Sequence, residues 1–197
     1  MPEEQNLTGK FLIAMPGMGD ARFQRSVILI CAHSAESAMG LVLNRPMPEL
    51  GFPKLMEQLG IEVTGTLPVI PIHFGGPVEP SRGFVLHRVA ADAAEPEGQL
   101  RISPTLALTT TRNILEDIAQ GQGPDTAILS LGYAGWGPGQ LEAEMLANGW
   151  LVGDPETGGD GLADEIIFGA DNDSKWPQAL RRQGIDPRLL SGSAGHA

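Results

Sequence analysis

The chain is organised around Val27-Ile28-Leu29-Ile30-Cys31-Ala32, an uninterrupted apolar run rich in β-branched side chains. Such a run is typical of a strand that is covered on both faces, because neither face offers a polar side chain to water. Thr126–Leu131 has the same β-rich character, and neither run contains proline. Both segments are therefore predicted to be central, buried strands of one sheet system.

Shorter patterns on either side of these strands predict the remaining elements. Gly40–Leu43 is predicted as a strand that His33–Met39 joins to the first run in an antiparallel hairpin, and Gly132–Gly139 as the turn after the second run. Helices are predicted at Phe52–Leu59, at Arg112–Gln120, through Leu141–Leu146, and from a cap at Asp173 or Ser174 to Gly184. This irregular mixture favours an α+β class over a regular βαβ alternation.

Composition indicates a soluble cytoplasmic protein. The 197 residues are 42% apolar, which is enough for the core of a single domain. The net charge of −11 favours solubility and opposes binding to a phosphate backbone. Cys31 is the only cysteine, so no intrachain disulfide can form. The first residues are acidic and polar, and no apolar run approaches the roughly 18 residues of a membrane span, so neither secretion nor membrane insertion is expected.

Familiar catalytic and metal-binding patterns are missing from the sequence, which has no phosphate loop, G-x-S-x-G, H-E-x-x-H or C-x-x-C motif. Period-two alternation predicts that Cys31 and His33 share one side of a strand, but a buried structural cysteine is the favoured interpretation. Asp154–Glu165 resembles a calcium loop, yet Gly161 stands where an apolar anchor is usual. This segment is interpreted as a solvated acidic loop, and no metal, cofactor or catalytic residue is predicted.

Polar, glycine and aromatic residues cluster at the predicted strand ends, where a rigid scaffold presents loops to a partner. The predicted ligand-binding residues are Arg22, Arg25, Asn44, Arg45, Gly75, Gly76, Arg82, His87, Tyr133 and Trp136. Arg25, Arg45 and Arg82 are hypothesised to bind one anionic group together, since guanidinium groups bind carboxylate or phosphate with two hydrogen bonds. The alternative is that the arginines form local salt bridges, with Asp20 and Glu79 as partners, and only hold loops in place.

Several long motifs resemble the AlgH/YqgE family of bacterial proteins. They include Phe11-Leu12-Ile13-Ala14-Met15-Pro16, Ala38-Met39-Gly40-Leu41-Val42-Leu43-Asn44-Arg45-Pro46, Gly75-Gly76-Pro77-Val78 and Gly184-Ile185-Asp186-Pro187. Ser37 and Arg88 depart from the family pattern without changing the assignment. The resemblance implies one α+β domain over residues 1–197, in which a bent, bifurcated mixed sheet closes toward a pseudo-barrel flanked by helices. Residues 1–6 and 189–197 are expected to be mobile tails.

The resemblance implies no established activity, although some members of the family are described as transcriptional regulators. This acidic chain lacks a convincing helix-turn-helix and a basic recognition helix, so direct nucleic-acid binding is disfavoured. The sequence favours a non-enzymatic cytoplasmic protein with a regulatory or ligand-binding role, whose partner is a small anionic ligand or a protein. A regulator acting directly on DNA and an enzyme of unrecognised type are the alternatives. A cleft that joins Cys31, His33 or His87 to a carboxylate would favour the enzyme.

Overall fold

The computed structural model describes residues 6–67, 69–156 and 161–190. The chain divides into two compact units, the first taken from Met1–Arg45 and Ala134–Ala197 and the second from Pro46–Tyr133. One strand, Ala127–Trp136, begins in the second unit and ends in the first. The expected mobile tails lie mostly outside the described residues, but Pro187–Leu189 forms a 3₁₀ turn at the start of the C-terminal one.

Strands and helices are mixed along the described chain, and the predicted α+β class is confirmed. The strands are β1 (Phe11–Ala14), β2 (Val27–His33), β3 (Ala38–Val42), β4 (Ile72–Phe74), β5 (Val78–Arg88), β6 (Gln99–Ser103), β7 (Leu106–Thr109), β8 (Ala127–Trp136) and β9 (Trp150–Gly153). The helices are α1 (Phe52–Gln58), α2 (Arg112–Ala119), α3 (Gln140–Leu146), α4 (Leu162–Phe168) and α5 (Asn172–Arg182). None of these helices has the length and apolar character needed to cross a membrane.

In the first unit the antiparallel strand order is β8-β3-β2-β1-β9. β2 pairs with β1 on one side and with β3 on the other, and its residues 27–31 are fully buried. The predicted central strand and its hairpin partner are thereby confirmed. The β2–β3 register shifts between Ile30 and Ala32, so a bulge interrupts the regular alternation of side chains on which the predicted shared side of Cys31 and His33 depends.

In the second unit the order is β6-β7-β5-β8, and β4 lies parallel to β8. This one parallel pairing makes the sheet mixed, as predicted. β8 pairs with β4 over Leu129–Leu131 and with β5 over Ala127–Leu131, so this part of β8 is flanked on both sides. Ala127, Ile128 and Leu129 are buried. The second predicted central strand is thus confirmed.

The turn predicted at Gly132–Gly139 is wrong over its first half, because β8 continues as a strand to Trp136. Gly132 has a positive φ of 72°, and a Cβ there would clash with Gly76 O and lie 3.0 Å from Val78 O. Glycine is therefore required for a close approach of two backbone segments within a continuing strand. Only Gly137–Gly139 form the connection to α3.

α5 begins two to three residues earlier than predicted, because the residue that caps it is Asp171, whose carboxylate accepts the Ser174 N–H. The helix packs on the first unit through buried Lys175, Trp176, Ala179 and Leu180. Trp176 Nε1 donates to Ala14 O at 2.8 Å, and Lys175 Nζ donates to Leu43 O at 2.9 Å. These bonds satisfy backbone carbonyls at strand ends, which would otherwise be buried without a partner.

Candidate ligand site at Arg25

The predicted ligand-binding residues are divided between the two units. Arg22, Arg25, Asn44, Arg45 and Trp136 belong to the first unit, whereas Gly75, Gly76, Arg82, His87 and Tyr133 belong to the second. Within the first unit, the structure brings Arg25, Asn44 and Arg45 together at the start of β2.

Asn44 is the buried residue that fixes this corner. Its Oδ1 accepts the Val27 N–H at 3.0 Å, and its Nδ2 donates to Arg25 O at 2.8 Å. The last backbone bond of the hairpin before it is Leu43 N to Val27 O. The amide of Asn44 therefore continues the ladder past the end of β3, which makes it a structural clamp for Arg25 and not a free ligand group.

Arg25 is exposed and has a positive φ of 54°, a conformation that non-glycine residues rarely adopt. Its guanidinium carbon lies 4.8 Å from the centroid of the Trp176 ring, within cation–π range. Among the described residues no carboxylate pairs with this guanidinium. A strained residue held by a buried amide thus presents an uncompensated positive charge on an aromatic surface.

Arg45 approaches the same loop and is half-buried. It donates to Gln24 O and, at 3.3 Å, to Asn44 O, and burial lowers its pKa. Gln24 is the neighbour of Arg25, so both guanidinium groups are tied to one short segment. Arg45 is bonded to carbonyls and not to an acid, and so adds a second positive charge to this part of the first unit.

A groove of about 420 Å³ opens beside Arg25. Its lining also includes Gln24 and a largely apolar set consisting of Ala14, Met15, Pro16, Trp176, Pro187 and Leu190. Ligand pockets are commonly concave, mostly apolar and fitted with a small number of polar groups. One guanidinium beside several apolar side chains suits a compact molecule that has an anionic group and an apolar body. Sequence analysis missed the groove, and it placed Trp176 only within the predicted last helix.

Arg22 lies outside this groove lining and is paired locally. Its Nη2 lies 2.7 Å from Asp20 Oδ2 and its Nε 3.0 Å from Oδ1. The same arginine lowers the pKa of the Asp20 carboxyl. Asp20 also accepts the Arg22 N–H as the cap of a 3₁₀ turn, so this pair holds the loop before β2. Arg22 therefore forms the kind of local, loop-holding salt bridge that was the alternative to ligand binding.

Arg82 in the second unit is paired as well. Its Nη1 lies 3.3 Å from Glu79 Oε2, and its guanidinium lies 5.3 Å from the Phe84 ring, which contacts Tyr133 edge-on. Glu79 is exposed and has a positive φ of 46°. A joint site of Arg25, Arg45 and Arg82 stays a prediction. The alternative to that site was a local salt bridge with Glu79, and Arg82 makes this contact.

The remaining predicted residues are engaged in the fold. Gly75 N–H donates to Leu131 O, and Gly76 O lies against Gly132. His87 is buried, which lowers its pKa; Nδ1 faces Arg88 O at 3.1 Å and Nε2 faces Thr109 Oγ1 at 2.8 Å. Since a carbonyl only accepts, Nδ1 carries the proton and Nε2 accepts the Thr109 hydroxyl.

Trp136 and Trp150 share a single carboxylate in the core of the first unit. Their indole Nε1 groups donate to Glu144 Oε2 at 3.0 and 2.7 Å. The two rings meet edge-to-face, with centroids 6.1 Å apart. Trp136 is 5% exposed, so it belongs to the core and not to an open surface.

The possible acid–base pair has a different geometry from the one anticipated. Cys31 is fully buried, and burial raises the pKa of its thiol to about 12, which keeps it protonated. His33 instead faces Glu142, with Nε2 and Oε1 3.0 Å apart, while its Nδ1 accepts the Leu7 N–H at 3.3 Å. A histidine beside a carboxylate at a cavity is the arrangement that would favour an enzyme. The single lone pair of the neutral ring is on Nδ1, however, where it already accepts the Leu7 N–H and is not free to act as a base.

The acidic loop predicted at Asp154–Glu165 is only partly described, because residues 157–160 lie outside the described ranges. Its first carboxylate pairs with Lys10, and α4 already begins at Leu162, so the loop is shorter than predicted. No group of three or more candidate metal ligands is found in the described part of the chain.

Comparison with known proteins gives matches along the whole chain. A family model described as AlgH-like matches residues 11–188. A UPF0301 protein of Paracoccus denitrificans (strain Pd 1222) is 58% identical over 197 residues, with 100% of both chains covered. A UPF0301 protein of Jannaschia sp. (strain CCS1) is 50% identical over 200 residues, which cover 100% of this chain and 99% of the relative.

Two solved structures share the fold of this chain. The solution structure of the AlgH protein from Pseudomonas aeruginosa is similar with a TM-score of 0.73 and 37% identity, covering 100% of this chain and 99% of that one. The crystal structure of a protein from Corynebacterium diphtheriae has a TM-score of 0.69 at 22% identity, covering 96% of this chain and 92% of that chain, and so supports the fold alone.

Proposed function

This chain belongs to the AlgH-like family, and we propose that it is a non-enzymatic protein that binds a small organic anion in the groove beside Arg25. The proposal rests chiefly on the Arg25 guanidinium, which lies over Trp176 without a carboxylate partner among the described residues. The chain carries 24 acidic residues against 13 lysines and arginines. In such a chain, an exposed arginine that remains unpaired is available for an external anion.

The groove supports an anion with an apolar body over a bare inorganic ion. A free phosphate would gain nothing from the apolar side chains, whereas Met15, Pro16 and Leu190 offer apolar surface to an attached hydrocarbon or ring. The clamp by Asn44 fixes the backbone of Arg25 before binding, which reduces the entropy lost on ligand capture. Benzoate and phenylphosphate are therefore suitable probes.

Isothermal titration calorimetry with benzoate tests the proposal. Benzoate is expected to bind, benzyl alcohol is expected to bind at least tenfold more weakly, and Arg25→Ala should lose most of the benzoate affinity. Arg22→Ala is the matched control, because it removes a nearby exposed arginine that is already paired with Asp20. Equal losses in the two variants, or no heat with either benzoate or phenylphosphate, would refute the assignment.

The Arg82→Ala variant tests the joint site of Arg25, Arg45 and Arg82. A loss of benzoate affinity like that of Arg25→Ala would support the joint site, and unchanged affinity would leave Arg82 as the partner of Glu79 alone.

Two further parts of the interpretation belong to the same proposal. A non-enzymatic role is supported by the protonated Cys31 thiol and by the occupied nitrogens of His33 and His87. A cytoplasmic location is supported by the lone cysteine, which is buried and reduced. A regulatory role would follow if capture of the anion changed the binding of a protein partner.

A further inference from the structure

A second cavity lies in the first unit, at the other end of the β1–β2 pair from Arg25. Arg25 precedes β2, whereas this cavity adjoins His33 at the C-terminal end of that strand. Its volume is about 400 Å³, within the range of small-molecule pockets. Leu7, Met145 and Val152 form apolar walls, and His33 and Glu142 supply the polar groups.

The hydrogen bonds determine where the proton of His33 lies. A backbone N–H can only donate, so the bond from Leu7 N requires Nδ1 to be an acceptor. The remaining ring proton is then on Nε2, which donates to Glu142 Oε1 at 3.0 Å. His33 is therefore a neutral imidazole that orients the carboxylate without cancelling its charge.

Glu142 consequently keeps a full negative charge at the cavity. The pKa of its carboxyl is lowered, first by the hydrogen bond from its own backbone N–H and then by the bond from His33. Its side chain is 48% exposed, so one oxygen can meet a ligand while the other is held by the imidazole. The described lining contains no lysine or arginine, and His33 is the only side chain there that pairs with Glu142.

We propose that this cavity binds a small organic cation, namely a primary alkylammonium whose charged nitrogen pairs with Glu142 and whose chain lies along Leu7, Met145 and Val152. A carboxylate at an apolar cavity selects a cation in the same way that the Arg25 groove selects an anion. The two sites lie at opposite ends of the β1–β2 pair and have opposite charge preferences. Binding at one site is therefore testable without reference to the other.

The test uses the full-length protein and hexylammonium chloride, with binding followed by calorimetry and by ¹H–¹⁵N chemical shifts. Hexylammonium is expected to bind, to shift the amides of Leu7, Gly139 and Val152, and to bind at least tenfold more tightly than hexanol or hexanoate. Glu142→Gln should weaken hexylammonium binding at least tenfold. This variant keeps an oxygen acceptor for His33 Nε2, so the local fold should survive the substitution.

Glu36→Gln is the matched control, because Glu36 is an exposed acid in the turn next to the cavity residue Ala35. It should leave hexylammonium affinity unchanged. The proposal is overturned if Glu142→Gln binds hexylammonium as well as the parent protein does, if hexanol binds equally tightly, or if no amide near the cavity shifts. Arg25→Ala should not affect this binding, which separates failure here from failure of the anion site.

Discussion

Single residues at the start of β2 show how a buried amide can prepare a charged site. Asn44 uses both polar atoms of its amide on the backbone of Arg25 and Val27. Arg25 can adopt its positive φ because these bonds hold the segment on its C-terminal side. Arg45 holds the preceding carbonyl, that of Gln24. The three side chains therefore have separate tasks. Of the three, Arg25 is the exposed one whose guanidinium has no carboxylate partner among the described residues.

We expect Arg45→Ala to lower the free energy of unfolding by about 1–2 kcal/mol, because the Gln24 and Asn44 carbonyls lose a half-buried charged donor. The same variant should weaken benzoate binding, since Gln24 and Arg25 lose their support and the groove loses a nearby charge. Urea unfolding and calorimetry measure the two effects. Arg22→Ala is again the control, and its exposed ion pair should contribute less than about 1 kcal/mol. If Arg45→Ala were as stable as the parent, its carbonyl contacts would contribute nothing.

At the scale of elements, α5 stabilises the first unit through two side-chain hydrogen bonds. Trp176 donates to Ala14 O at the end of β1, and Lys175 donates to Leu43 O directly after β3. Lys175 is 1% exposed, and burial lowers its pKa from 10.5 to about 8, partly offset by Glu165 and Asp171. The unfolded chain therefore binds more protons than the folded chain between pH 8 and 10.5. Stability contributed by this group must rise with pH across that interval and be lowest below pH 8.

Lys175→Met tests this directly. The difference in unfolding free energy, parent minus Lys175→Met, should increase by roughly 2–3 kcal/mol from pH 7.5 to pH 10. Taking the difference removes the contributions of groups that titrate equally in both proteins. Urea unfolding at four pH values in this interval is sufficient, and a constant difference would show that Lys175 titrates normally in the fold.

The elements also show what sequence patterns can and cannot predict. β2, its hairpin partner and the early part of β8 were predictable, because apolar runs and turn residues act over a few neighbouring positions. The continuation of β8 past Gly132 was not, because that glycine serves an approach by Gly76 and Val78 from another part of the chain. Arg25 was predicted as a site residue, but Trp176 was not. No local pattern reveals that the helix carrying Trp176 will place this ring beside Arg25. His33 and Glu142 are 109 residues apart, so their contact exists only in the folded chain.

At the scale of the whole molecule, net charge and ion pairing bear on whether the protein could bind DNA directly. The net charge is −11, and several of the basic side chains that could meet phosphates are already paired with acids. These pairs include Lys10–Asp154, Arg22–Asp20, Arg82–Glu79, Arg101–Glu95, Arg112–Glu116 and Arg188–Asp186. DNA affinity comes largely from lysine and arginine groups that displace counterions from the duplex. Because these lysine and arginine groups are paired with acids of the same chain, few remain to displace counterions from DNA.

We therefore expect the isolated protein to bind duplex DNA no more tightly than about 10⁻⁶ M at physiological salt, the range of non-specific complexes. Fluorescence anisotropy with labelled duplexes, including a pool of random sequences, measures this between 50 and 200 mM salt. Adding benzoate to the same titration tests whether an occupied Arg25 groove changes the result. A sequence-specific complex of nanomolar affinity with a steep salt dependence would contradict the expectation, because that dependence requires several released counterions and hence a basic surface. Weak binding that benzoate leaves unchanged would instead restrict any regulatory role to a protein partner, since the acidic chain would then reach DNA only through another molecule.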